Sequence, residues 1–258
     1  MPSYKIDQVA IQLYTLRNFT RTLPDFVATL KKVREIGYRS VQVSGIGIPY
    51  PEAKKALDDA GLIVCATHES GELILQNPGA VSERLNAIGT THTAYPYPAG
   101  IDFGNAETVR ELARKLDAAG ATLAKNGHTL SYHNHGVELT RFGDATVLDY
   151  LMEATNPAHL KAELDTYWVQ YGGGDPVAWI DKVAGRAPLL HLKDYAISRE
   201  SKPFFAEVGH GNLDWKKILA SAQRAGVEWL IVEQDDCPGD PFDSIRKSFD
   251  YLNALLAR

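Results

Sequence analysis

LKAELDTYWVQYGGGDPVAWIDKVAGRAPLLHLKDY, residues 160–195, contains one full unit of the pattern from which the whole chain is built. It opens on an apolar β-type run that ends in Asp165. Asp175-Pro176 then starts a helix: an aspartate cap accepts the first free N–H groups, and proline's fixed φ suits an early helical position. APLLHLKDY follows as a second strand. Strand, helix and strand make a βαβ unit, and both strand ends carry side chains able to do chemistry.

Outward from this unit the same alternation runs to both ends. The strand candidates are VAIQLYT from Val9, SVQVSGI from Ser40, LIVCATH from Leu62, THTAYPY from Thr91, HTLSYHN from His128, LKAELDTYW from Leu160, APLLHLKDY from Ala187 and WLIVEQD from Trp229, eight in all. The first helix opens at Thr22 with Pro24 early in it, carries the stripe Phe26, Val27, Leu30, Val33 and Ile36, and stops at Gly37. A second runs from about Pro51 to Ala60 before Gly61; later ones start at Asp214 and Asp240-Pro241. Eight βα units predict an α/β protein, a closed (β/α)8 TIM barrel forming a single domain over residues 1–258. A doubly wound sheet would carry a glycine-rich phosphate loop after its first strand, whereas YTLRNFT has no glycine, and no GxxxxGK[ST] occurs. The longest insertion, residues 196–212 after strand seven, is expected to fold over the mouth as a lid, with Phe204 and Phe205 covering an apolar side of a ligand.

Composition narrows the class. The chain has 258 residues, 45% hydrophobic and 23% charged, an ordinary globular profile. Net charge is −5, from 27 basic and 32 acidic residues, with no basic block, which argues against a nucleic-acid partner. No apolar run of roughly 18 residues occurs, so no membrane span is expected. MPSYKIDQVAIQLYTLR lacks the features of a signal peptide, and Cys65 and Cys237 make no disulfide framework, so a cytoplasmic location is expected.

In a parallel barrel the strand C-termini converge on one mouth. Glu138, Asp165, His191 and Glu233 follow apolar runs and are expected to meet there. Three carboxylates that close repel each other unless a divalent cation lies between them, so a metal site is expected there, and spacing alone leaves open which of His133, His135 and Glu138 after strand five touches the metal. An oxygen-rich set favours one Mn²⁺, then Mg²⁺ or Co²⁺, with Zn²⁺ also admissible. His191 and Lys193, two apart, point to one side of their strand; Leu192 and Asp194 point to the other. Glu163 shares a side with Asp165, which lies nearer the mouth and is the better ligand. His133 and His135 also share a face. His68, with Gln12, Tyr14 and Arg17, completes a polar ring, and Trp168 at the rim could stack on a sugar or simply pack. His68, His135, Trp168 and Tyr14 are the candidate substrate contacts. His92, His128 and His159 precede their strands and are assigned no function.

Taken together, QLYTLR, YHNHGVEL, LDTYWV with GGGDP, GRAPLLHLKDY, VGHGNLDW and IVEQD make the chain resemble the sugar phosphate isomerase/epimerase family, the xylose-isomerase-like barrels. The resemblance spans essentially the whole length. It implies a (β/α)8 barrel with one divalent metal on Glu, Asp, His and Glu, carried over here as Glu138, Asp165, His191 and Glu233. In better-studied branches the first glutamate lies on strand five itself, where this chain has His133, so His133 is the rival of Glu138.

The implied activity is a metal-dependent isomerase or epimerase acting on a keto or aldo sugar through proton abstraction beside the carbonyl and an enediolate. Glu138 and Glu233 would serve as bases and Lys193 would neutralise the oxyanion. The alternative is a lyase or dehydratase on a keto sugar, inosose or keto-glycoside, with His133, His135 and His68 as acids for the leaving group. An endonuclease acting on abasic DNA shares the fold but calls for more metal ligands and a basic surface. A non-catalytic sugar-binding barrel is the remaining class, and the complete ligand set argues against it.

Overall fold

All eight expected strands form, and they close in sequence order into one parallel barrel. The structure is a computed structural model, described here for residues 4–257. The strands are β1 (Val9–Gln12), β2 (Ser40–Val43), β3 (Ile63–His68), β4 (His92–Tyr95), β5 (Thr129–His133), β6 (Leu160–Asp165), β7 (Leu189–Leu192) and β8 (Trp229–Val232). β1 closes the ring on β8 through Val9↔Leu230 and Ile11↔Val232, and on β2 through Ile11↔Val41.

The barrel interior is layered. Ala10, Cys65, Ala66, Leu189 and Ile231 form a small apolar core of their own. Above it the inward positions turn polar: Gln12, Gln42, Glu163 and His191 are all fully buried. Side chains on the outer strand faces pack with the helices into the main core.

Most helix signals hold, with one difference. Thr22 caps helix Leu23–Ile36 by accepting from the Asp25 N–H, Pro24 lies in its first turn, and Gly37 ends it at a φ of +130°, a value that disfavours any side chain. Phe26, Leu30, Val33 and Ile36 are buried as expected, but Val27 faces solvent and Thr29 is buried instead. The reason is angular: Thr29 lies within the arc set by Phe26, Val33 and Ile36, and its hydroxyl donates to the Phe19 carbonyl at 2.7 Å. Asp175, Asp214 and Asp240 cap their helices as the sequence suggests. Among the described residues no helix is long and apolar enough to cross a membrane.

The insertion after β7 is a hairpin. Asp194–Ile197 pairs antiparallel with Pro203–Ala206, and Tyr195 lies opposite Phe205. Asp194, buried on the outer side of the β7 exit, ties the insertion down. Its Oδ2 accepts from the Gly209 and Gly211 N–H groups and from Trp215 Nε1–H at 2.7–3.0 Å; its Oδ1 accepts from the Tyr195 N–H at 2.8 Å.

Candidate active site

Strand register decides which side chains meet. His133 lies opposite Glu163, and Asp165 and Ile231 lie opposite His191. Val232 pairs with Leu192, which brings the next residues, Glu233 and Lys193, side by side. The two-residue period keeps Glu163, Asp165, His191 and Lys193 on the inner face.

The lower tier is organised around Glu163. Its Oε1 lies 2.5 Å from His68 Nε2, 3.1 Å from His191 Nε2 and 3.3 Å from His133 Nδ1. Its Oε2 accepts from Gln42 Nε2–H at 2.8 Å, and Gln42 Oε1 accepts from Gln12 Nε2–H at 2.8 Å while lying 2.7 Å from His191 Nε2. Burial raises the Glu163 carboxyl, but the imidazoles of His191 and His68 overcome it and hold it well below the usual carboxylate range.

The upper tier is organised around Lys193, itself buried. Its Nζ lies 2.9 Å from Asp165 Oδ2, 2.7 Å from Glu233 Oε2 and 3.0 Å from Asp235 Oδ2. His191 Nδ1 lies 3.0 Å from Glu233 Oε2. Burial works against the His191 and Lys193 charges, yet the carboxylates around them win: His191 is pushed up to about 10 and Lys193 well above its usual value. Glu233 is held well below its usual value, since Lys193 and His191 outweigh its burial. Asp165 goes the other way, raised to about 6 by burial despite Lys193 and His191. Its Oδ1 accepts from the Trp168 N–H at 3.0 Å, so one carboxylate both caps helix Thr166–Tyr171 and faces the site.

Above these tiers opens a cavity of about 300 Å³ lined by Tyr14, Tyr97, His68, His133, His135, Lys193, Glu233 and Asp235, among others. The His133 and His135 rings stand edge to face with centroids 4.9 Å apart. Burial, then Lys193, pulls His135 down to about 3, so its imidazole is neutral near pH 7. A larger groove of about 510 Å³ lies on the outer wall between helices Leu23–Ile36 and Tyr50–Asp59. It contains no histidine and none of the strand-end residues, so volume does not locate the chemistry.

The hairpin insertion reaches this mouth. The Phe205 ring lies 4.2 Å from Tyr167 and 5.8 Å from Trp168, centroid to centroid, and Lys193 Nζ lies 5.7 Å from the centroids of both Phe205 and Trp168. The lid expectation is met for Phe205. Phe204, next in the strand, points the other way and is 46% exposed.

One expected ligand is not in place. Glu138 was expected beside Asp165, His191 and Glu233. Instead its Oε1 accepts from Tyr132 O–H at 2.9 Å and its Oε2 from the His135 N–H at 2.8 Å. Both donors precede it closely in sequence and draw the carboxylate into the loop Val137–Leu139, fully buried and absent from the cavity wall. The group that converges is His133, Asp165, His191 and Glu233, with one ligand atom of each within 4.8 Å of all the others. A second group, His68, His133, Glu163 and His191, shares its two imidazoles. Tyr14 and His68 lie on the cavity wall; Trp168 stands just behind, its ring 5.5 Å from that of His135.

The parts of the site least visible in sequence are the centrality of Glu163 and the roles of Gln42 and Asp235. Each had a signal. Glu163 shares the inner face with Asp165, Gln42 is a lone polar residue inside the apolar run SVQV, and Asp235 lies two beyond Glu233 and so on its side.

A family model described as a xylose isomerase-like TIM barrel matches residues 30–255. The inosose dehydratase of Geobacillus thermodenitrificans is 29% identical over 157 residues, 53% of this chain and 51% of that protein. The inosose dehydratase of Clostridium beijerinckii is 28% identical over 206 residues, 72% of this chain and 65% of that protein. The chain thus spans about half to two thirds of the length of these relatives. The crystal structure of a sugar phosphate isomerase/epimerase from Parabacteroides distasonis superposes with a TM-score of 0.82 at 22% identity, covering 99% of this chain and 97% of that one, a likeness of fold.

Proposed function

Because the chain belongs to the xylose isomerase-like TIM barrel family, we propose that its mouth cavity binds a small carbohydrate or inosose carrying a carbonyl and eliminates an oxygen substituent from it. Such a lyase removes the proton beside the carbonyl and expels water or an alcohol from the next carbon. The observation that carries the reading is the position of Glu138. A two-base isomerase or epimerase needs an acid–base group on each side of the substrate, and the expected pair was Glu138 with Glu233. With Glu138 folded into its own loop, the cavity offers the carboxylates of Glu233 and Asp235 together with the imidazoles of His68, His133 and His135. Carboxylate as proton acceptor and imidazole as donor to a leaving oxygen is the division of labour an elimination needs.

Lys193 is the group placed to balance negative charge growing on the carbonyl oxygen, because its ammonium lies at the cavity wall inside a low-dielectric pocket. His135, neutral near pH 7, can donate one hydrogen bond to the leaving oxygen without bringing a permanent charge. Tyr14 and Tyr97 line the opening and offer aromatic faces to the apolar side of a sugar ring, with Trp168 and Phe205 packed behind His135 and Lys193.

The donor set fits a divalent cation. It has two imidazoles and two carboxylates, all buried, and His133 Nε2 and His191 Nδ1 each lie 4.0 Å from Asp165 Oδ2, so nitrogen and oxygen donors face one point. With His133 in place of Glu138 the set is half nitrogen. Mn²⁺ and Co²⁺ stay suitable, Zn²⁺ becomes their equal, and Mg²⁺ becomes less apt. When bound, such an ion supplies a Lewis acid for the carbonyl oxygen.

An isomerase or epimerase is the second reading, since it begins with the same proton abstraction and the imidazole of His135 could serve as its second acid–base group. Incubating keto sugars, inososes and keto-glycosides with the protein and Mn²⁺ in D₂O separates the two. Loss of water or alcohol, seen by mass, is the expected outcome; an unchanged formula with solvent deuterium beside the carbonyl selects the isomerase. Glu233→Gln should weaken metal binding and abolish turnover in a folded protein. Turnover that survives both this change and chelation would sink the metal-assisted mechanism.

A further inference from the structure

We propose that Glu163 is a positioning residue that fixes which ring nitrogen of His191, and of His68 beside it, is free to act. The proposal rests on the cation-binding reading above. His191 Nε2 faces two oxygens, Gln42 Oε1 at 2.7 Å and Glu163 Oε1 at 3.1 Å. The Gln42 amide is oriented by its own bonds. Its Nε2 donates to Glu163 Oε2 and its Oε1 accepts from Gln12, so the atom facing His191 is an acceptor. A ring nitrogen between two acceptors must carry a hydrogen. Once a cation displaces its other proton, the lone pair of His191 therefore lies on Nδ1, which is directed toward Glu233 Oε2 at 3.0 Å and Asp165 Oδ2 at 4.0 Å. His68 follows the same logic: Nε2 meets Glu163 Oε1, and Nδ1 lies 3.4 Å from the donor Gln12 Nε2 and acts as its acceptor.

The same geometry separates the two overlapping His/carboxylate groups. In the deeper one an oxygen, Glu163 Oε1, is itself the centre, with three ring nitrogens around it at 2.5–3.3 Å. That is a hydrogen-bond hub. In the upper one the His133 and His191 nitrogens stand 4.0 Å from Asp165 Oδ2, the spacing of donors set around a common point. Glu163 is thus the carboxylate behind the ligand histidines, a role that holds ring orientation and raises ligand basicity.

The test uses the full chain, stripped with a chelator and titrated with Zn²⁺ by calorimetry, with ¹⁵N-histidine spectra of the apo and Zn²⁺ forms. Wild type should bind one equivalent, with His191 in the Zn²⁺ form protonated at Nε2 and bare at Nδ1. Glu163→Gln should bind about 10–100-fold more weakly and lose the single His191 tautomer. Gln42→Met, which keeps the Glu163 charge, should lower affinity less and serves if Glu163→Gln does not fold. Unchanged affinity and tautomer in Glu163→Gln, or in Gln42→Met if that is the variant that folds, overturns the proposal while the cation reading stands. Two equivalents in wild type, one of them lost in Glu163→Gln, overturns it in favour of a second cation on Glu163. A folded wild type that binds no cation refutes the reading beneath it and the proposal together.

Discussion

Replacing Lys193 with Met removes a buried ammonium from between three carboxylate oxygens, Asp165 Oδ2 at 2.9 Å, Glu233 Oε2 at 2.7 Å and Asp235 Oδ2 at 3.0 Å, and leaves the apolar stem almost unchanged. Asp165 and Glu233 are then buried close together with His191 as their remaining cation. Removing one partner of a buried pair costs about 3–5 kcal/mol, which for a domain of this size lowers the thermal midpoint by roughly 6–20 °C. The pH dependence gives the sharper signature. In wild type the Glu233 carboxyl is held below its usual value, chiefly by Lys193 acting against burial, so it contributes stability above its unfolded pKa and loses it as pH falls through the folded one. Without Lys193 burial prevails and the folded pKa rises. The penalty is then full near neutral pH and disappears as acid protonates the pair. Thermal melts of the chelated proteins from pH 4 to 8 should show a gap between wild type and variant that is wide at the alkaline end and closes toward the acid end. Added Mn²⁺ should restore part of the loss near neutral pH, because the bared carboxylates remain available to a cation. A midpoint within about 1 °C of wild type at neutral pH, with no change in the gap across the range, would refute the reasoning.

Two further predictions concern carboxylates with opposite duties. Burial, opposed by Tyr132 and the His135 N–H, raises Glu138 from 4.5 to about 7, so its contribution to stability is full below pH 4.5 and lost as pH rises through 7. Glu138→Gln should flatten that part of the melting curve against pH and leave cation affinity unaltered in equilibrium dialysis; a large loss of affinity would restore Glu138 as a ligand. Asp194→Asn removes the charge that receives the Gly209, Gly211 and Trp215 donors. It should destabilise the protein by about 2–3 kcal/mol in urea and speed proteolytic cleavage around residues 198–202; unchanged cleavage would show that Asp194 does not hold the hairpin.

The barrel was legible because its signals are periodic or conformational. Alternation in WLIVEQD or LLHLKD fixes which side chains face inward whatever the neighbours, and Asp-Pro sets a helix start by local geometry. The two helices between β3 and β4, Gly71–Gln76 and Pro78–Ile88, were missed, although Ser70 and Asn77 cap them. Strand-borne site residues were legible for the same reason: Asp165, His191 and Lys193 face inward by period alone. Glu138 was not, because it lies beyond the strand end, where orientation depends on which donors capture it, here Tyr132 O–H and the His135 N–H. Glu163 was seen on the correct face but its weight was hidden. Its partners come from β2, β3, β5 and β7, and only strand register brings Gln42, His68, His133 and His191 to one carboxylate.

The exit of β7 divides two duties between adjacent residues, Lys193 inside the barrel and Asp194 outside it, fastened to Gly209, Gly211 and Trp215. Inserting or deleting one residue before them would exchange the faces and ruin both at once, so descendants of this sequence can vary that strand only by substitution. The tip of the hairpin is under no such constraint. Ser198 and Lys202 close a short exposed turn in which Ser201 adopts a φ of 60°, and its length can drift while both anchors stay fixed. Lineages that change substrate are therefore expected to record the change as differences in tip length and composition, over a β7 exit that keeps its residue count.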